Sequence, residues 1–198
     1  MTYGINGPRG LQPVNSGNGV TWNGQTNEYV LPATGGQSMF QGDPVTLSTA
    51  GTIIRGSASN PSLGVFQGTK YQDTQGVWQF TNYFAGATAY LAGNTPVAMI
   101  IDDPNAQYTV QETDAAGASG TPLTQAAVGN NIDMLYTAGD TRTGMSAVSI
   151  NNASIATTLV DNFKVVALDT QTENVIGAFA NWIVQINNGV FKTGSTRP

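Results

Sequence analysis

The sequence predicts an all-β protein: a compact β-barrel or sandwich of about ten short strands, with an extended N-terminal arm. Three observations carry this prediction. Short apolar stretches recur along the chain, several with the period-2 alternation of a half-buried strand. Clusters of Gly, Pro, Asn, Asp and Ser separate them. No stretch sustains the apolar period of a long helix, and no unit repeats at a fixed spacing. The length of 198 residues fits one domain, large enough to bury a core without disulfides, and the chain has no Cys. Charged residues make up only 10%, while three Trp, seven Tyr and seven Phe are present. That balance is opposite to the charge-rich, aromatic-poor composition of disordered chains.

The elements follow in chain order. Residues 1 to 26 form the expected arm. They hold Gly4, Gly7, Gly10, Gly17, Gly19 and Gly24 with Pro8 and Pro13, and show neither strand nor helix period. The arm is expected to order against a partner, with Arg9, Leu11, Val14, Val20 and Trp22 as candidate contacts. Trp22 is the strongest of these, because an indole needs a surface to pack on. The β domain then spans residues 27 to 198. Strands are expected at 28–31, 52–55 and 63–67. At 77–84, Trp78, Phe80 and Phe84 are expected to share an inward face. Residues 96–101 are apolar on both faces and read as a central strand, ended by Asp102-Asp103-Pro104-Asn105. In 108–113, Tyr108 and Val110 point inward. Residues 124–128 suggest one helical turn with Thr124 as its cap. Further strands are expected at 132–136, 146–150 and 163–168. A hairpin of 182–186 with 190–192 is expected across Asn187-Asn188-Gly189, a strong turn signal. The predicted core is Trp78, Phe80, Val97, Ile101, Phe163, Trp182 and Val184.

Composition restricts the chemistry. There is no His and no Cys, so the common nucleophile–base pairs and zinc–thiolate sites are absent. The seven basic residues are scattered and the net charge is −5. Duplex nucleic acid and anionic membrane are therefore not expected partners. The N-terminus lacks the apolar run of a secretory signal, so synthesis in the cytoplasm is expected. The three glutamates, Glu28, Glu112 and Glu173, are isolated in sequence and read as solvated surface rather than a hydrolase pair. Asp102, Asp103 and Asn105 offer oxygen ligands for Ca²⁺ but are sufficiently explained as a turn. Asn152-Ala153-Ser154 matches a glycosylation sequon without secretory context. No catalytic residue, metal or cofactor is expected.

One ordered series of short signals remains: Asn27-Glu28-Tyr29, Gly42-Asp43-Pro44-Val45, Leu63-Gly64-Val65-Phe66, Gly68 with Tyr71, and Ile101-Asp102-Asp103-Pro104-Asn105. Phe163-Lys164-Val165-Val166 and Val184-Gln185-Ile186-Asn187 follow. In order and spacing this series resembles the capsid decoration, or cement, proteins of tailed bacteriophages. The resemblance implies a β module on the outer surface of the virion, often a homotrimer. Its partner would be the major capsid protein, whose neighbouring subunits it staples against genome pressure. It implies no catalytic residues. Two other readings share the composition. One is another virion β module, such as a head fibre, tail or baseplate component. The other is a carbohydrate-binding module, with Tyr83, Tyr90, Tyr108 and Tyr136 as candidate stacking residues.

Overall fold

The computed structural model of the chain describes residues 4–16, 19–32, 36–58 and 60–192. The strands are β1 (Gln12–Asn15), β2 (Asn27–Val30), β3 (Met39–Phe40), β4 (Pro44–Leu47), β5 (Ile53–Arg55), β6 (Gly64–Gln72), β7 (Trp78–Thr81) and β8 (Tyr83–Phe84). They continue with β9 (Val97–Ile101), β10 (Gln107–Thr113), β11 (Asn131–Ile132), β12 (Met134–Leu135), β13 (Ser149–Asn151), β14 (Phe163–Leu168) and β15 (Asn181–Ile186). Two 3-10 turns, Gln125–Ala127 and Asn152–Ser154, are the helical segments among the described residues. The all-β expectation is met.

The C-terminal half builds a sheet in the order β11-β14-β15-β10-β13-β12, with β1 also on β10. β11 and β12 stand at its two ends, yet only Asp133 separates them in the chain. One extended segment thus nearly closes the sheet into a barrel. Closure removes sheet edges and creates an interior. Tyr108, Ile132, Ile150, Phe163, Trp182 and Val184 fill that interior and have no solvent exposure.

The N-terminal half builds a second sheet in the order β2-β9-β6-β4-β5, with β7 on the far half of β6. Leu31, Val45, Ile53, Phe66 and Ile100 form its separate core. β3 and β8 pair alone. The motifs singled out in the sequence converge here. Gly42 adopts a φ of 95°, which favours glycine. Its N–H donates to Phe66 O, and its carbonyl accepts from Leu11 N–H. Asp43 Oδ2 accepts from Phe40 N–H, and Asp43 O accepts from Phe66 N–H. Pro44 and Val45 then pair with Val65 and Gly64, and Val65 pairs with Ile101. A Cβ on Gly64 would lie 2.1 Å from Ile101 O, so only glycine permits this packing. The Asp-Asp-Pro-Asn turn carries the chain from β9 of this sheet to β10 of the other.

Three local expectations are corrected. Residues 77–84 are not one strand: β7 and β8 are separated at Asn82, and Trp78 and Phe80 point outward, 53% and 66% exposed. Alternation is present, but the register places the aromatic face outside. The Asn187-Asn188-Gly189 turn makes no hairpin, because other partners take its backbone. Asn187 N–H donates to Asn162 O, Ser62 N–H to Asn188 O, and Val190 N–H to Ser62 O. Thr124 precedes a 3-10 turn but makes no side-chain cap.

The N-terminal segment is continuous with the domain. β1 pairs with β10, and Leu11 is completely buried in the barrel core. Pro13 has no N–H to give a ladder, and the register shifts between Pro13 and Asn15. The pairing comes from β10, which is why residues 12–15 carry no strand pattern of their own.

Candidate interaction surface

β2, β9, β6 and β7 lie side by side, and their register places one row of side chains across all four. Val30 pairs with Val97, Val97 with Lys70, and Lys70 with Phe80. Directly opposed residues share a face. Flanking rows add Glu28 opposite Met99, and Gln72 opposite Trp78. All of these residues are half-buried or exposed. Val30 is 46% exposed, and the neighbouring Val77 is 56% exposed. The inner rows, such as Tyr29–Ala98–Thr69, lie on the core side, and Ala98 and Thr69 are fully buried.

Charge on the outer face is balanced internally. Lys70 Nζ lies 2.6 Å from Glu28 Oε1 and 6.0 Å from the Trp78 ring centroid. The ammonium is thus shared between a carboxylate and an indole face. The result is an aromatic and aliphatic sheet face, electrically neutral, with Trp78 and Phe80 at one margin and Val30 at the other. Exposed large apolar side chains grouped on one sheet face, here around an internally paired Lys70 and Glu28, mark a candidate interaction site, and Trp is among the residues that dominate binding energy at interfaces.

The five candidate arm residues do not gather on one surface. Leu11 is core. Val14 is half-buried in β1. Arg9 is exposed and lines a groove of about 500 Å³ with Gln12, Gln111 and Gln171. Val20 is 62% exposed. It and Trp22 line a second cavity of about 380 Å³, beside Asp102 and Asp103. Trp22 packs on the barrel core of its own chain. Asp102 is held by Asn27 Nδ2 and the Tyr29 hydroxyl, which donate to it at 2.9 and 2.6 Å. Asp103 Oδ1 accepts from Asn105 N–H. Among the described residues no group of three or more acidic side chains is placed to hold a metal ion.

The glutamates occupy three different environments. Glu28 is paired with Lys70, and Glu173 is exposed in a loop. Glu112 contradicts the expectation of a solvated surface: it is completely buried. Its Oε2 accepts from Leu123 N–H at 2.8 Å. Its Oε1, Trp182 Nε1 and Asn152 Oδ1 are buried without a hydrogen-bond partner. Trp182 and Asn152 stand near enough to favour the carboxylate but outside hydrogen-bond geometry. Burial dominates and pushes the Glu112 carboxyl up to about 7. The signal was present in the sequence, since the alternation that turns Tyr108 and Val110 inward also turns Glu112 inward. Asp43 is likewise buried, and burial pushes it up to about 6 against the opposing effects of Ser146, the Phe40 N–H and Arg55.

The four candidate tyrosines form no shared platform. Tyr108 is buried, and Tyr83 stacks on Phe40 with ring centroids 4.7 Å apart. Tyr136 is covered by Arg55, whose guanidinium lies 3.7 Å above its ring. Tyr90 is half-buried. Asn152 of the sequon is buried, with its amide donated to Ser119 O. No protein-family model, curated protein or solved structure matches this chain.

Proposed function

We propose that this chain is a structural virion protein that binds the outer surface of a mature tailed-phage capsid and staples neighbouring major-capsid subunits. The reading rests on the ordered resemblance of its motifs. The structural observation that supports it is the neutral face of β2, β9, β6 and β7, on which Val30, Trp78 and Phe80 are exposed among the described residues. A face without net charge suits contact with a protein shell whose attachment must survive changes in salt. Several copies bound to one shell, each linked to its neighbours, would gain affinity by effective concentration. The role uses no catalytic step and no cofactor, and it places the protein on the virion exterior after synthesis in the host cytoplasm.

Co-sedimentation with expanded, undecorated capsids tests the proposal. Wild-type protein is expected to pellet with the particles and to raise their resistance to heating. Val30→Asp puts a charge at the margin of the face farthest from β7. It is expected to weaken pelleting while the isolated protein melts normally. If wild-type protein stays in the supernatant, the capsid reading is lost. If Val30→Asp binds as tightly as wild type, the face is not the contact.

A further inference from the structure

β7 is an edge strand, and its free side has a defined hydrogen-bond pattern. Among the described residues it pairs with β6 alone. The hairpin is closed by Asp73 N–H donating to Val77 O at 2.9 Å. In an antiparallel ladder, hydrogen-bonded and non-hydrogen-bonded pairs alternate. Counting from the Asp73–Val77 pair, Tyr71–Gln79 and Thr69–Thr81 are hydrogen-bonded, while Gln72–Trp78 and Lys70–Phe80 are not. The backbone N–H and C=O of Trp78 and Phe80 therefore point away from β6, and no backbone group among the described residues meets them. Edges of this kind are usually blunted by Pro, Lys or an inward charge. Residues 77–81 contain no Pro and no charged side chain.

We infer that β7 pairs with β7 of a second copy of this chain, antiparallel about a two-fold axis at Gln79. The pattern is self-complementary. With the axis at Gln79, Trp78 of one copy opposes Phe80 of the other, and these are the residues whose backbone groups face outward. Each such pair exchanges two hydrogen bonds, and the side chains of opposed residues share a face. The four aromatic rings then form a two-by-two cluster in two adjacent rows, and the outer faces of the two copies become continuous. No charge on the strand opposes the approach. This pairing is independent of the capsid reading and differs from the threefold association that the family resemblance implies.

The absence of Cys allows a direct test. In the paired dimer the two Gln79 residues form a non-hydrogen-bonded pair with Cα atoms about 4.5 Å apart, within disulfide reach. Gln79→Cys is expected to oxidise to a covalent dimer. Gln75→Cys, on the hairpin loop, would lie on the order of 25 Å from its mate and is expected to stay unlinked. Phe80→Pro removes an outward N–H without removing a bond to β6, and it should weaken the dimer about tenfold or more in sedimentation equilibrium. Phe80→Thr keeps the N–H and should lose less. Far-UV circular dichroism checks folding, and the cysteine pair decides the matter if the proline variant unfolds. A wild-type monomer at all concentrations overturns the inference. So does a trimer with Gln79→Cys unlinked, equal cross-linking at both cysteine positions, or a folded Phe80→Pro dimer as tight as wild type.

Discussion

At the scale of single residues, burial separates side chains that look equivalent in sequence. Trp182 and Trp78 sit in similar alternating contexts, but Trp182 is fully buried and Trp78 is half exposed. Trp182→Ala should cost about 3–5 kcal/mol in denaturant unfolding, whereas Trp78→Ala should cost less than about 1 kcal/mol. Equal losses would contradict the register of β7. Glu112 gives a pH prediction. Its carboxyl rises from an ordinary 4.5 to about 7 in the folded protein, so the native state holds its proton more tightly than the unfolded chain. The associated stability is complete below about pH 4.5 and is lost as pH rises through about 7. Asp43, raised from 3.8 to about 6, acts in the same direction over a lower window. The wild-type protein should therefore melt at a lower temperature at pH 8 than at pH 5. Glu112→Gln should remove part of that difference, on the order of 2–3 kcal/mol. A melting temperature equally pH-dependent in both proteins would show that Glu112 is not held as a neutral acid.

At the scale of elements, partners decided what local pattern could not. The segment 12–15 has no strand signature, yet it forms β1 because β10 offers a free ladder. The sequence suggests that residues 1–26 can be deleted without unfolding the β domain. The structure predicts otherwise, since deletion removes a strand and the buried Leu11. The truncated protein should lose at least the ~2–5 kcal/mol of a buried leucine truncation. Unchanged thermal melting would refute this. The glycine of the Leu-Gly-Val-Phe motif supplies a further check. A Cβ at Gly64 collides with the backbone carbonyl of Ile101, which cannot rotate away. Gly64→Ala should destabilise by about 1–3 kcal/mol. Gly42 and Gly64 each serve the junction of β4, β6 and β9, so these motifs have a structural explanation independent of binding.

At the scale of the whole molecule, a near-closed barrel and a second sheet bury two separate cores, and among the described residues the outer face of β2, β9, β6 and β7 exposes Val30, Trp78 and Phe80. If that face docks on a shell, the complex should resist added salt, because the face carries a neutral Glu28–Lys70 pair. Raising NaCl from 0.05 M to 0.5 M should change particle binding by less than about threefold, measured by co-sedimentation. A steep salt dependence would point to the exposed charges elsewhere. The all-β class is legible in the amino-acid sequence, because period 2 and turn chemistry are local properties of the chain. Most strand positions in the C-terminal half are legible in the same way, as are the inward sides of β10 and β15 and the burial of Phe163 in β14. The tertiary structure alone decided which side of β7 faces solvent, because period 2 defines two faces without saying which one meets the core. It alone placed β1, formed a bridge to Ser62 in place of the Asn-Gly hairpin, and joined the two ends of the barrel at Asp133. Each of these depends on a partner distant in sequence, and no local pattern encodes the distance between strands that meet only after the chain has folded.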